Sequence, residues 1–154
     1  MRAEQLAGVL ATGAGGLESF GGFVSLKDKR HGSAPPKRIL IVDDNKDARE
    51  SLATLFREHG YLALTAHDGY SAIERATEFR PHAVLLDIVM PGISGFRVAE
   101  MLRKQTAFAN ALLITVTGLG QDVDGWLSKN AGCDYHFEKP LEFDTLEALL
   151  ETRL

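Results

Sequence analysis

The chain carries a single cysteine, Cys133, so no intramolecular disulfide can form, as is usual for proteins of reducing compartments. Its predicted role is that of a small buried hydrophobe. Basic excess is also missing, since 17 Lys and Arg stand against 21 Asp and Glu, for a net charge of −4 and a pI near 5.7. Proteins that grip phosphate backbones concentrate Lys and Arg on one face. No such stripe runs through this sequence, which argues against nucleic acid as a partner. Nor is any apolar run long enough to span a bilayer, and the N-terminus lacks the basic start and unbroken apolar core of a secretory signal. The sequence therefore predicts a cytoplasmic protein with no membrane contact. What it does have is 154 residues, 45% of them hydrophobic, which suits one domain with a proper core and is short for two.

Residues 1–36 differ from the rest. "GVLATGAGGLESFGGFVS" is rich in Gly, and "KDKRHGSAPPK" is a charged, Pro-containing connector. The segment reads as a flexible N-terminal extension. A short helix or docking peptide built on Leu6, Val9, Leu10, Leu17, Phe20 and Phe23 competes with that reading, as do a remnant of an upstream domain and a misplaced start.

From residue 37 to residue 154 short apolar runs alternate with amphipathic stretches. "RILIV" precedes "NKDARESLATLFREHG", where Ala48, Leu52, Leu55 and Phe56 share a helical face and Gly60 ends the helix. "YLALTA" leads to "DGYSAIERATEFRP", with Asp68 as cap and Pro81 as stop. "HAVLLD" precedes "SGFRVAEMLRKQ", "ALLITVT" precedes "QDVDGWLSKNAG", and "DYHFEK" precedes "DTLEALLETRL", in which Asp144 and Glu147 have capping-box spacing. Strands apolar on both faces, each followed by a helix, imply an α/β fold with a five-stranded parallel sheet and five helices. Right-handed crossovers make it doubly wound. Ligands in such sheets sit beyond the carboxyl ends of the strands.

What stands at those ends is chemically uneven. The first strand ends in Asp43 and Asp44, the third in Asp87, the fourth in Thr117 and the fifth in Lys139, followed by Pro140. Taken alone, the adjacent acids Asp43 and Asp44 read most simply as a solvated turn. Together with Asp87 they become three carboxylates in one crevice, which cannot all stay ionised cheaply without a cation. Hard oxygen donors of this kind suit magnesium, which keeps its waters and accepts a phosphate oxygen. The pattern points to a magnesium-assisted phosphoryl site with Asp87 as the acceptor.

"VDDN", "LLDIVMPGISG", "TVTG" and "AGCDYHFEKP" together resemble the receiver domain of two-component response regulators, from about Lys37 to the C-terminus. In spelling they are most similar to receivers of hybrid sensor histidine kinases. The resemblance implies a flavodoxin-like sheet of strand order 2-1-3-4-5. It implies that Asp87 is phosphorylated, receiving its phosphoryl group from a histidine kinase or histidine phosphotransfer protein. Mg2+ would be held by Asp43, Asp44, Asp87 and the backbone carbonyl of Val89. Lys139 would contact the phosphoryl group, its position aided by a cis peptide before Pro140. Thr117 would be the switch hydroxyl, paired with a switch ring at His136, where the family more often has Tyr or Phe. A titrating His136 would make the output surface pH-sensitive, and a flat ring at the sheet end is the simpler reading.

In the family it resembles, the residues two beyond the phosphorylated Asp and two beyond the switch Thr can orient or block hydrolytic water; here they are the apolar Val89 and Leu119, so the resemblance implies slow self-dephosphorylation. Met90, Pro91, Gly92 and Gly95 read as shaping the loop that presents Val89. "GLGQ" reads as a loop that moves on phosphorylation, or as a connector. If Gly125, Ser128 and Ala131 face the sheet, then Val123, Trp126 and Leu127 point outward, though a buried Trp126 fits nearly as well. His31, His59, His67 and His82 receive no role. No output domain is recognised, so the expectation is a downstream protein docking on the face of the fourth helix, fifth strand and fifth helix, from a monomer or a phosphorylation-dependent dimer. A degenerate receiver serving only as a docking module is the alternative. A magnesium-dependent aspartyl-phosphate phosphatase is disfavoured because Val89 stands where such enzymes place a second Asp.

Overall fold

The computed structural model describes residues 34–118 and 127–154. The readings of the N-terminal extension, of His31, of "GLGQ" beyond Gly118, and of Leu119, Val123, Gly125 and Trp126 lie outside these residues. Four short runs rich in Leu, Ile, Val and Ala form β1 (Arg38–Val42), β2 (Leu62–Ala66), β3 (Ala83–Asp87) and β4 (Leu112–Thr117), with the more polar β5 (Tyr135–Glu138) at the edge. All pair in parallel, in the order β2-β1-β3-β4-β5. The chain steps from β1 to one side and then, through β3, to the other. The carboxyl ends of β1 and β3 therefore flank the switch point.

Every residue of β3 and β4 is buried, which explains why β3 runs apolar as far as Asp87, while the buried Thr115 and Thr117 put hydroxyls on one face of β4. The alternation survives as a division of labour between two faces. Leu40, Val42, Val84, Leu86 and Leu113 pack toward α2 (Gly69–Phe79) and α3 (Gly95–Arg103). Ile39, Ile41, Leu85, Ile114 and Val116 pack toward α1 (Lys46–Glu58) and α5 (Phe143–Arg153). Residues 127–130 are the described part of a fourth helix, α4.

Local signals set most of the helix boundaries. Asn45 accepts the Ala48 N–H at 3.0 Å to start α1, and Gly60 follows its end with φ +90°. Asp68 and Ser71 cap α2 reciprocally; Arg80 closes it in the left-handed region at φ 52°, just before Pro81. Ser94 caps α3.

Three expectations need correction. The buried stripe of α1 is Ala53 and Phe56, with Leu52 half-buried, while Ala48 and Leu55 are exposed. Helix α5 starts two residues earlier than its capping-box spacing implied, at Phe143, with Glu142 as N-cap and no side-chain cap. Glu147 instead faces inward and lies 2.8 Å from His59 Nδ1, so His59 does have a role, joining α1 to α5. His82 also has one, its Nδ1 accepting the Arg38 N–H at 2.9 Å.

Between α3 and β4 a 3-10 turn, Thr106–Phe108, carries Phe108 into the core. Arg103 fixes that connection. Its guanidinium donates to the carbonyls of Phe108, Ala111 and Gly132, each at 2.8 Å, and to Asp134 at 2.6 Å. Asp134 in turn accepts the Leu113 N–H at 2.8 Å. At the free edge of β2, Arg57 and Arg75 donate to the carbonyls of Ala63 and Thr65, which blunts an otherwise open strand edge.

Candidate functional site

The carboxyl ends of β1 and β3 bring Asp43, Asp44 and Asp87 together, with ligand oxygens all within 4.8 Å of one another. Asp43 and Asp87 are buried and Asp44 is exposed, so the cluster opens to solvent on one side. The turn after β1 holds Asp43, whose Oδ1 accepts the Asn45 N–H at 2.9 Å. Arg49, one turn into α1, reaches the carbonyl oxygens of both Asp43 and Asp44 at 3.4 Å. From the end of β5, Lys139 Nζ lies 3.3 Å from Asp43 Oδ2 and 3.5 Å from Asp87 Oδ2. The Lys139–Pro140 peptide is cis, as the resemblance implied.

Asp87 is also defined by what sits behind it. A Cβ on Gly95 would fall 2.3 Å from the Asp87 carbonyl oxygen, so only glycine lets the first turn of α3 rest against the end of β3. Two such close approaches shape the loop between them, since a Cβ on Gly69 would lie 2.2 Å from Ile93 Cγ1. Both glycines occupy first turns of helices, where sequence alone does not separate a packing requirement from ordinary tolerance.

Two buried acids beside one ammonium leave the site short of positive charge. Burial raises the Asp87 carboxyl from its ordinary 3.8 to about 6, and the neighbouring Asp43 charge pushes in the same direction. Lys139 and the Val89 N–H oppose that rise without cancelling it. For Lys139, burial alone would lower the ammonium, but Asp87 and Asp43 more than offset it and hold it above its ordinary value.

Thr117 ends β4 fully buried, and its carbonyl accepts the Lys139 N–H at 2.8 Å. It stands one strand away from Asp87, because Asp87 registers with Val116. Val89 lies two residues beyond Asp87 in the loop, 57% exposed, with its backbone N–H on the Asp87 carboxylate. His136 departs from the flat ring at the sheet end. Its Nδ1 lies 2.9 Å from Thr115 Oγ1 and 3.1 Å from Ser128 Oγ, beneath α4. Ser128 and Ala131 are buried and Leu127 is half-buried, which matches the small-residue face expected for this helix. Thr115 was not singled out, since a Thr in a strand reads as ordinary, and Ser128 was named only for the small-residue face and not for its hydroxyl. Cys133 packs half-buried against the core, and burial pushes its thiol up to about 12.

A groove of about 310 Å³ opens beside the acids. Ala48, Leu52 and Leu55 of α1 form one wall, Pro140 and Leu141 the other, and Asp87 and Lys139 lie within its lining. This groove is why Ala48 and Leu55 stay uncovered.

The sheet order and the acids at its switch point define a flavodoxin-like α/β protein with an anionic site at the strand ends. The family model for the response regulator receiver domain matches residues 39–151, and the chain belongs to that family. It is 35% identical over 109 residues to Protein PilH of Pseudomonas aeruginosa, spanning 71% of this chain and 90% of PilH. It spans about half the length of several further curated relatives. Among solved structures, chemotaxis protein CheY4 of Vibrio cholerae aligns with TM-score 0.73 at 25% identity, covering 77% of this chain and 99% of CheY4. The response regulator TrrA of Thermotoga maritima, solved in complex with Mg(2+)-BeF, aligns with TM-score 0.68 at 36% identity, covering 77% of this chain and 99% of TrrA. Receiver domains are signalling switches of two-component systems. Among the described residues no helix is long and apolar enough to cross a membrane.

Proposed function

We propose that this receiver is a phosphorylation switch in which Asp87 accepts a phosphoryl group from a histidine kinase or histidine phosphotransfer protein. The observation that carries the reading is the meeting of Asp43, Asp44 and Asp87 within 4.8 Å, with the Lys139 ammonium in contact with two of them. Three hard oxygen donors, one facing solvent, fit a magnesium ion that keeps part of its water shell. Asp43, Asp44 and Asp87, with the carbonyl of Val89, would hold it; when bound, it supplies charge that neutralises phosphoryl oxygens. The complex of TrrA with Mg(2+)-BeF supports that assignment.

A carboxylate is a weak nucleophile, so the protein's contribution is position and charge. An Asp87 oxygen forms the bond to phosphorus as the bond from phosphorus to the donor histidine nitrogen breaks, and that nitrogen leaves with the electron pair. Lys139, already between Asp43 and Asp87, turns its ammonium to the incoming phosphoryl oxygens. Thr117 offers its hydroxyl to the same group. The donor approaches across the groove between α1 and the loop after β5, which leads from apolar walls to the acids. The signal leaves by docking of a downstream protein on α4, β5 and α5.

Phosphotransfer profiling against candidate kinases and phosphotransfer proteins tests the reading. Wild type should acquire label from a small subset of donors and Asp87→Asn from none. Leu55→Asp should slow transfer from a protein donor while leaving phosphorylation by acetyl phosphate unchanged. Label retained in Asp87→Asn would overturn the assignment.

A further inference from the structure

We propose that the apolar stretch from Leu17 to Val24 docks in the groove beside the acids, along the exposed face of α1, and shields that groove from a protein phosphodonor. The shielding rests on the phosphoacceptor reading of Asp87; the docking does not.

Ala48, Ser51, Leu55 and Glu58 follow one another along α1 at spacings of three and four, so they form one stripe. Leu55 in that stripe is 38% exposed, and Pro140 and Leu141 wall the other side of the groove. No described residue covers the stripe. An apolar helix face beside a volume of about 310 Å³ suits one or two aromatic rings.

The stripe also has a direction. Helix α1 begins next to the acids and ends at Glu58, which is exposed. Glu151, also exposed, stands one turn of α5 beyond Glu147, which holds His59 just past the end of α1. Arg57, at the same end, is turned to the Ala63 carbonyl. Apolar surface therefore lies nearest the site and negative charge at the far end. The backbone enters β1 at that far end, since the Lys37 carbonyl accepts the N–H of Leu62, four residues past Glu58, at 2.9 Å.

The residues before Lys37 come in the matching order. Counting back, the chain meets Arg30, Lys29 and Lys27, with Asp28 the one acid among them, and then Val24, Phe23, Phe20 and Leu17. The cations fall beside Glu58 and Glu151, and the rings then fall along Leu55, Leu52 and Ala48. Reach does not limit the contact. The 13 steps from Val24 to Lys37 span up to about 43 Å, whereas the 13 residues of α1 rise only about 20 Å.

A tethered segment acts at an effective concentration on the order of 1 mM. Against a weak contact, with a dissociation constant on the order of 0.1 mM, that covers the groove about nine parts in ten. A protein donor must displace the segment. A small donor reaches Asp87 through the side on which Asp44 is exposed.

The full-length chain carrying a nitroxide at Thr54→Cys, an exposed position of α1 next to Leu55, is the probe. Cys133 is half-buried and its thiol is pushed up to about 12, so the label goes to the new cysteine. The amide signals of residues 17–24 should broaden more than those of residues 2–10, and Phe20→Asp with Phe23→Asp should remove the difference. Equal broadening along the extension, or none, overturns the docking. Broadening that fades on dilution marks a second copy as the occupant and overturns the intrachain contact. With a protein donor identified by transfer profiling and kept below saturation, the paired aspartate variant should be phosphorylated about tenfold faster than wild type, at an unchanged rate from acetyl phosphate. Equal rates from the protein donor overturn the shielding. Wild type that takes no label on Asp87 from acetyl phosphate overturns the phosphoacceptor reading, and the broadening still decides the docking.

Discussion

Replacing Asp87 with asparagine should stabilise the chain in the presence of a chelator, by an amount that depends on pH. In the folded protein the Asp87 carboxyl rises from 3.8 to about 6, first because it is buried and then because Asp43 lies beside it. That is roughly two units, or about 3 kcal/mol at ~1.36 kcal/mol per unit. Because the folded value is the raised one, the native state holds the proton more tightly. The group's contribution is fully present below about pH 3.8 and is lost as pH climbs through about 6. Asparagine does not titrate, so the advantage of Asp87→Asn over wild type should be about 1–3 kcal/mol near pH 8 and shrink by roughly half on going to pH 5. Urea unfolding of both proteins across that range, with chelator throughout, measures the gap. Added magnesium should then stabilise wild type more than the variant. A gap that stays flat between pH 5 and pH 8 would refute the argument that burial and Asp43 strain this carboxylate.

Other outcomes follow from single contacts. Gly95→Ala places a Cβ 2.3 Å from the Asp87 carbonyl oxygen; it should cost about 1–3 kcal/mol in urea unfolding and weaken beryllofluoride binding, because the end of β3 must move. Arg103→Ala strips partners from the carbonyls of Phe108, Ala111 and Gly132 and from Asp134, an expected loss of about 2–4 kcal/mol, again by urea unfolding, with Asp87 phosphorylation by acetyl phosphate retained. Val89→Asn combined with Leu119→Glu supplies side chains able to orient water where the chain has only apolar ones. The acyl phosphate should then decay at least about tenfold faster, followed by loss of label in a chase.

The fold was legible because its signals are local. Runs such as "RILIV" and "AVLLD" state burial on both faces directly, and Asn45, Asp68, Ser94 and Gly60 mark helix ends by backbone chemistry that needs no tertiary partner. Asp43, Asp44, Asp87, Thr117 and Lys139 could be grouped because a parallel sheet brings every strand's carboxyl end to one side. Contacts with distant partners stayed hidden. The pairing of Glu147 with His59 spans 88 positions, and helical spacing alone offered Glu147 to a cap. The face of α1 was misjudged at Ala48 and Leu55 because periodicity locates an apolar stripe without saying whether anything covers it. His136 turned inward for the same reason, since its pose is set by Thr115 and Ser128 together.

The most direct test of the account is the mass of the intact chain, with the modified residue mapped, after incubation with acetyl phosphate and magnesium. The account predicts one phosphoryl group, carried by Asp87, and none on Asp44→Ala, which should remain folded but lose magnesium-dependent modification. Phosphorylation of Asp44→Ala at the wild-type rate, or a phosphoryl group mapped to any residue other than Asp87, would contradict it.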